Sequence, residues 1–512
     1  MPRALIDRLT TWARPKRAPV EIESWSESGL PESEIPAEGD HGDLLWARGF
    51  LLTAEAHPLP VAHWRRIRLG GRHVSYDPRN PIALARAGSS WVALLGRAVD
   101  LGNWSAGHGR IAETLLRARL AGRGAMIERL DMLSGRYALF DGDGRAAFAQ
   151  TDAAGMRGLF FATGTAAPCA ASHAGLVAER IGAGPSAFPD PDLLRRELHA
   201  YALPGRATTA EGVVMLTPNT ELDLGSGKVH RCFPREPRRE RPADEVADEL
   251  MPLLQGQLAA LAERGPLEVS LTAGLDSRTT LALTKPLSDR FRYFTYDTVS
   301  GKGPSRRGVA RDVAVSVELA ARFGLDHRRI EVACRFPAEP LRSIMERNSP
   351  RHSNPGMAAA HRDQTPDPGL HLRSNLYEIG RAFYRARRNN LPEVLRAEDM
   401  TSLLTARRSR DPRLRDAFAE YIGATDFDRA QQLYDGADLF YWEHRAGMWL
   451  NAHLTESDIA FDTHILVNSR HVYRLLLSAP QADRQAGTVF LELIRRSWPE
   501  VLDLPVNGTR LA

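Results

Sequence analysis

Residues 267–283, LEVSLTAGLDSRTTLAL, constrain this chain more than any other stretch. The apolar run from Leu267 to Leu271 has the composition of a buried strand. It stops at Thr272-Ala273-Gly274-Leu275-Asp276-Ser277, and an amphipathic run from Arg278 to Leu283 follows with helical spacing. A strand that ends in small residues and restarts as a helix aims several backbone N–H groups at one spot. The helix N-terminus adds its partial positive charge to that spot. Thr272 and Ser277 supply hydroxyls, and Asp276 supplies a carboxylate able to hold Mg²⁺ beside phosphate oxygens. The chemistry expected is nucleotide binding.

The flanking sequence extends the pattern. Pro286 closes the motif segment, and Phe291 to Tyr296 reads as a second strand. Asp312 is expected to open a helix that stops near Gly324, and His327 to Val332 reads as a third strand. Strands alternating with helices of this length imply parallel pairing through right-handed crossovers. Ligands of such sheets sit beyond the carboxyl ends of the strands, which is where 272–277 would lie.

A chain of 512 residues is expected to hold more than one domain. Its 43% hydrophobic and 25% charged residues are those of an ordinary globular protein. No apolar run approaches the ~20 residues of a membrane span. The start, MPRALIDRLTTWARPKR, is basic without an apolar h-region, so neither export nor membrane attachment is expected. Cys169, Cys232 and Cys334 have neither metal nor disulfide spacing; they read as core residues in a reducing, cytoplasmic setting. Lys16, Lys228, Lys285 and Lys302 are the only lysines, so arginine carries nearly all the positive charge. The run Arg235 to Pro242 alternates in sign and contains prolines, which suits a solvated linker better than a nucleic-acid patch. No nucleic-acid partner is expected.

The loop Thr272–Ser277 resembles the S-G-G-x-D-S pyrophosphate loop of the ATP pyrophosphatases, which split ATP into AMP and pyrophosphate. Thr272 keeps the hydroxyl of the first serine. Ala273 replaces a glycine and would strain the loop by ~1 kcal/mol if that position needs φ > 0. A GxxxxGK[ST] loop is absent, since Lys228 in GSGK lacks the upstream glycine.

Residues 44–230 read instead as short strands and turns, with a hairpin signal at Asp141-Gly-Asp-Gly144 and helices near 110–120 and 172–182. That is the rhythm of an α+β sandwich. Within it, GRYALFDGDGRAAFAQTDAAGMRGLFFA (135–162), Ser172–Leu176, Leu203–Thr209 and Val213–Pro218 resemble parts of a class II glutamine amidotransferase domain. The order of the two resemblances is that of the asparagine synthetases, shared by β-lactam synthetases and lasso-peptide cyclases. The organisation expected is an extension (1–43), a degenerate amidotransferase-like α+β sandwich (44–232), a linker (233–243) and an α/β parallel-sheet ATP-pyrophosphatase domain (244–512).

The resemblance implies ATP and Mg²⁺ as cofactors. It implies nucleotide contacts from Leu271, Thr272, Ala273, Gly274, Leu275, Asp276, Ser277, Arg278, Thr295, Arg373 and Asn375. A second phosphate-side loop, roughly S-G-x-G-x-D-E in the family, is matched by Leu372 to Tyr384. With Glu378 at the final glutamate, Tyr377 falls where the metal-binding aspartate belongs. Either Glu378 takes over as ligand or one contact is lost. Asp276 and Glu378 are the implied metal ligands, and Asp276, Glu378 and Arg381 the implied catalytic groups. Arg373 and Arg381 could fork onto phosphate oxygens.

Other departures concern the two ends. The family's glutaminase uses a cysteine at position 2, whereas this chain reads Met1-Pro2-Arg3, so glutamine hydrolysis by that route is not expected. A family lysine near the C-terminus has only Arg510 to match it. Trp442, Arg445 and Trp449 are read as sharing one helix face, lining an acceptor pocket or simply filling core. His361, His371 and His464 lack metal-ligand spacing and are read as structural. The activity implied is an AMP-forming amide ligase that adenylates a carboxylate for attack by an amine, with a peptide among the candidate substrates. The alternative is an impaired nucleotide-binding or regulatory homologue. An RNA-modifying pyrophosphatase would suit the basic charge, but not the first domain.

Overall fold

The computed structural model describes residues 21–164, 168–188, 203–298, 304–349, 355–388 and 390–510. The basic N-terminal stretch before residue 21 and Lys302 lie outside the described residues.

The first half builds two antiparallel sheets. One runs, in spatial order, Glu23–Glu27, Ile82–Ala87, Ser90–Asp100, Leu133–Gly142, Ala147–Thr151, Thr220–Asp223 and Val229–Arg231. The other runs Val213–Met215, Phe160–Ala162, Ala170–Ala171, Phe50–Thr53, Arg72–Tyr76 and Arg65–Leu69. Side chains alternate across each strand. Phe50, Leu52, Ala93, Leu95, Ala138 and Phe140 therefore meet between the sheets. Val92, Leu94 and Leu139 face the helices His108–Ala121 and Arg123–Asp131. Leu51 and Phe160 face the helix Ala174–Ile181 on the other side. The hairpin at Asp141–Gly144 forms because the Asp143 carboxylate accepts from the N–H groups of Arg145 (2.8 Å) and Ala146 (3.0 Å).

Two segments are tied to the fold by specific contacts. Glu23–Glu27, inside the stretch read as an extension, pairs antiparallel with Ile82–Ala87 at the sheet edge. Behind it the buried Arg79 holds Glu32 (2.7 Å), Asp77 (2.9 Å) and Asp43 (3.3 Å) in one cluster. The stretch 233–243, read as a solvated linker, is exposed at most positions from Arg235 to Pro242 and is also anchored at several points. Phe233 packs 5.3 Å from Trp442, and the N–H groups of Arg238 and Arg241 donate to the carbonyls of Leu433 (3.0 Å) and Ser478 (2.9 Å). Prolines keep this backbone extended, and neighbouring carbonyls take the N–H groups left between them.

The second half contains a five-stranded, wholly parallel sheet in the order His327–Val332, Phe291–Thr298, Leu267–Ser270, Leu370–Leu372, Thr463–His464. The motif strand is its centre. From there the chain adds two strands on one side, then crosses to add two on the other, so the motif strand borders the topological switch point. The helix expected from Asp312 begins eight residues earlier and spans Pro304–Phe323. Proline suits a first helical turn, and the Asp312 side chain has a tertiary partner described below.

Candidate functional site

The switch point places the loops after Leu267–Ser270 and Leu370–Leu372 side by side, and the site forms between them. Gly274 caps the helix Leu275–Leu283 in an extended conformation (φ −80°, ψ 159°) and offers no side-chain acceptor. The first-turn N–H groups of that helix thus depend on acceptors from outside it. Ala273 is buried and is not among the positive-φ residues, so the strain considered for it does not arise.

The N–H groups just before the helix have partners within the chain. Leu271 N–H donates to Phe294 O (2.8 Å) and Thr272 N–H to Ser277 Oγ (2.9 Å). Ala273 N–H donates to Asp312 Oδ1 (3.0 Å) and Gly274 N–H to Thr272 Oγ1 (3.2 Å). Thr295 donates its hydroxyl to Leu271 O (3.0 Å), which fixes the strand end and leaves Thr295 buried. The C-terminal tail closes the other side: Asn507 N–H donates to Ala273 O (2.8 Å) within a turn from Val506 to Thr509. Arg278, expected at the nucleotide, donates instead to the tail carbonyls of Val501, Leu504 (3.4 Å) and Pro505 (3.1 Å). Arg510 is exposed just beyond this turn.

Asp276, Glu378 and Arg381 come together. Arg381 Nη1 lies 2.6 Å from Asp276 Oδ1, and the Asp276 side chain is 16% exposed. Burial raises the Asp276 carboxyl despite that partner. Burial, then the like charge of Asp276, push Glu378 up to about 7, against the pull of Arg381 and Arg445. Two carboxylates thus share too little positive charge. Such a pair suits a hard divalent cation, whose remaining ligands would be phosphate oxygens and water. Among the described residues no three side chains are grouped as a self-sufficient metal cage.

Tyr377 is committed to the interior. It is fully buried, its hydroxyl lies 2.9 Å from Thr280 Oγ1, and its ring packs 5.4 Å from Phe490. Burial raises its phenol far above the usual range. Ser374 donates to the same Thr280 hydroxyl (2.8 Å), pinning the second loop to the motif helix. Arg373 has its Nε on Asn375 Oδ1, and burial lowers its guanidinium to about 10.

Three features escaped the sequence reading. Asp312 read as a helix opener, and only tertiary structure shows its carboxylate on the loop. Tyr441–Leu450 is a π-helix, whose wider turn rotates Trp442 and Arg445 apart. Trp442 is buried, with Nε1 donating to Ala153 O (2.8 Å), whereas Arg445 stacks 5.0 Å over Phe383 on the Glu378 side. Finally, His361 belongs to a buried chain, 3.1 Å from Tyr296 Oη and 3.3 Å from Glu268. His371 packs between Phe294 and Phe461, and His464 meets Gln257.

No protein-family model and no curated protein matches this chain. Among solved structures it is similar to the glutamine phosphoribosylpyrophosphate amidotransferase of B. subtilis, at 11% identity over 63% of this chain and 70% of that one, with a TM-score of 0.22. A structure described as the allosteric regulatory enzyme of purine biosynthesis gives 12% identity, 62% and 81% coverage, and a TM-score of 0.23. The NH3-dependent NAD synthetase of Campylobacter jejuni subsp. jejuni gives 14% identity, 38% and 97% coverage, and a TM-score of 0.19. Likenesses this slight carry no weight for activity, which rests on the residues of this chain.

Proposed function

We propose that this chain is an ATP-dependent, AMP-forming amide ligase that adenylates a substrate carboxylate for attack by an amine. The carrying observation is the cation-poor pair Asp276 and Glu378, set at an uncapped helix N-terminus beyond the central strand of a parallel sheet. In this reading the first-turn N–H groups would bind the β- and γ-phosphates, and Asp276 with Glu378 would hold Mg²⁺. The ion supplies charge neutralisation on the phosphate oxygens when bound. Arg381, now paired with Asp276, would be the cation nearest the phosphates, and Ser277 Oγ, accepting from Thr272 N–H, fixes the loop. A carboxylate is a poor acyl donor because its leaving group would be oxide; transfer of AMP to that oxygen supplies a good one. The sandwich acts as a support, an amidotransferase-like unit without glutaminase activity. Burial raises the Cys169 thiol to about 11 and also raises Cys232, whereas Cys334, read as a core residue, is exposed.

The test is nucleotide chromatography with candidate acids and amines, together with isotope exchange between pyrophosphate and ATP. AMP and exchange are expected; turnover to ADP would refute the mechanism. One observation favours the second reading, an impaired nucleotide-binding homologue: Asp312 already sits on Ala273 N–H and Arg381 on Asp276. That reading predicts nucleotide binding without exchange for any acid. No described helix is long and apolar enough to cross a membrane.

A further inference from the structure

A cavity of about 380 Å³ opens at the opposite end of the parallel sheet from the motif loop. The sandwich supplies one wall through Gly29–Ser33, Arg48, Arg97 and His108. The second unit supplies the other through Arg264–Leu267, Pro366–Leu370, Phe461 and Asp462. Its floor is apolar: Leu261, Leu267, Leu370 and Phe461 all line it. Prolines 266, 366 and 368 stiffen the rim, and Gly369 packs directly against the Pro266 carbonyl. The volume and the mixed lining are those of a preformed small-molecule site.

Its charges are unevenly matched. Glu32 is shared between Arg48 (2.8 Å) and Arg79 (2.7 Å), and Asp462 between Arg97 (2.9 Å) and Arg157 (3.5 Å). Asp367 stands exposed on the rim. Arg97 uses only Nε for Asp462, and its side chain is 34% exposed where it lines the cavity. Arg264 donates to three carbonyls, those of Ala98 (3.1 Å), Trp104 (3.1 Å) and Ala106 (2.9 Å), and meets no carboxylate among the described residues. Burial, then the charge of Arg97, lower its guanidinium. Burial and the same two arginines push His108 down to about 4, and its Nε2 accepts from Ala98 N–H (3.4 Å), so it is a neutral neighbour. One corner therefore holds two adjacent guanidinium groups with an open fork beside an apolar floor. An anion there relieves their mutual repulsion, and a planar carboxylate matches the fork.

We infer that this cavity is a binding site for a small amphipathic carboxylate, anchored on Arg97 and Arg264 with its apolar body over Leu267, Leu370 and Phe461. Because its walls come from both units and it lies away from the nucleotide loop, an occupant acts as a clamp between them, not as the acid that is adenylated. The test is calorimetric titration of the full chain, without nucleotide, at low salt. Hexanoate and phenylacetate are the probes, and hexanamide and phenylacetamide the neutral controls. Saturable one-to-one binding of an acid is expected, with its amide about tenfold weaker or more. Arg97→Lys keeps the charge but loses the fork, and Arg264→Gln removes the second charge; each should weaken the acid about tenfold. Absence of saturable acid binding, equal binding of acid and amide, or wild-type affinity in both variants would overturn the inference. None of these readings depends on whether ATP is used at the motif loop.

Discussion

Two groups of aspartates and arginines in this molecule reach opposite electrostatic states. At the junction of the two units, Asp458 and Asp462 face a crowd of guanidinium groups. Arg136 forks onto Asp458, Arg157 adds a contact at 3.1 Å, and Arg97 holds Asp462 at 2.9 Å. Burial alone would raise Asp462, but Arg97, Arg48, Arg157 and Arg136 hold it well below the usual carboxylate range. At the switch point, Arg381 pairs with Asp276, Arg381 and Arg445 act on Glu378 without offsetting its burial, and both carboxyls are raised. The chemistry of the side chains is the same, and the ratio of cations to anions decides the outcome. A cation-rich pocket locks its acids charged; a cation-poor one leaves them raised, which is the state proposed above for a metal–nucleotide site.

The largest effect expected from this contrast is at the junction. Asp458→Ala leaves Arg136 and Arg157 buried without their main partner and should lower stability by roughly 3–5 kcal/mol. Urea unfolding at constant m-value measures this. A loss below about 1 kcal/mol would mean that the junction is not the locked cluster described.

The pH dependence should separate the two groups by sign. Glu378 binds its proton up to about 7 in the folded chain and only to its ordinary value near 4.3 when unfolded. Between those values the native state holds more protons, so its contribution to stability falls as pH rises, and the penalty is complete above about 7. Glu378→Gln should therefore stabilise the protein by roughly 1–3 kcal/mol at pH 8 and by little at pH 4. Asp462 works the other way: its folded carboxyl is depressed, so its stabilisation is present above the unfolded value and disappears as pH falls below about 4. Unfolding curves across pH check both, and equal slopes for wild type and Glu378→Gln would erase the contrast.

How much of this was legible depended on how local each signal was. The central strand, its loop and its helix were readable because period and small residues lie within seventeen positions. The neighbouring strands Phe291–Thr298 and His327–Val332 were readable for the same reason. Leu370–Leu372 and Thr463–His464 are too short to show a period, so the sheet order that creates the switch point was not. At the site, Asp276, Glu378 and Arg381, named from the resemblance as catalytic groups, lie near one another, and their roles are tested by the experiments below. The burial of Tyr377 depends on Thr280 and Phe490, far away in sequence, and the commitment of Arg278 to the tail depends on residues 501–505. A π-turn shifted the faces of Trp442 and Arg445, which a helical wheel cannot anticipate.

A smaller effect probes the loop itself. Asp312 places a carboxylate on Ala273 N–H, next to the region proposed for pyrophosphate. Asp312→Asn removes that competing charge and should tighten inorganic pyrophosphate binding by about three- to tenfold. Weaker binding would show that Asp312 shapes the loop and does not compete for it.

The most direct test of the central claim is a calorimetric titration of ATP into the wild type and Asp276→Ala, each with and without Mg²⁺. The claim predicts that Mg²⁺ strengthens binding to the wild type, and that the variant loses this gain, about tenfold or more in affinity, while its melting temperature stays close to that of the wild type. Equal Mg²⁺-dependent affinity in both proteins, or no Mg²⁺ effect on the wild type, would contradict the assignment of the cation-poor pair as a metal–nucleotide site.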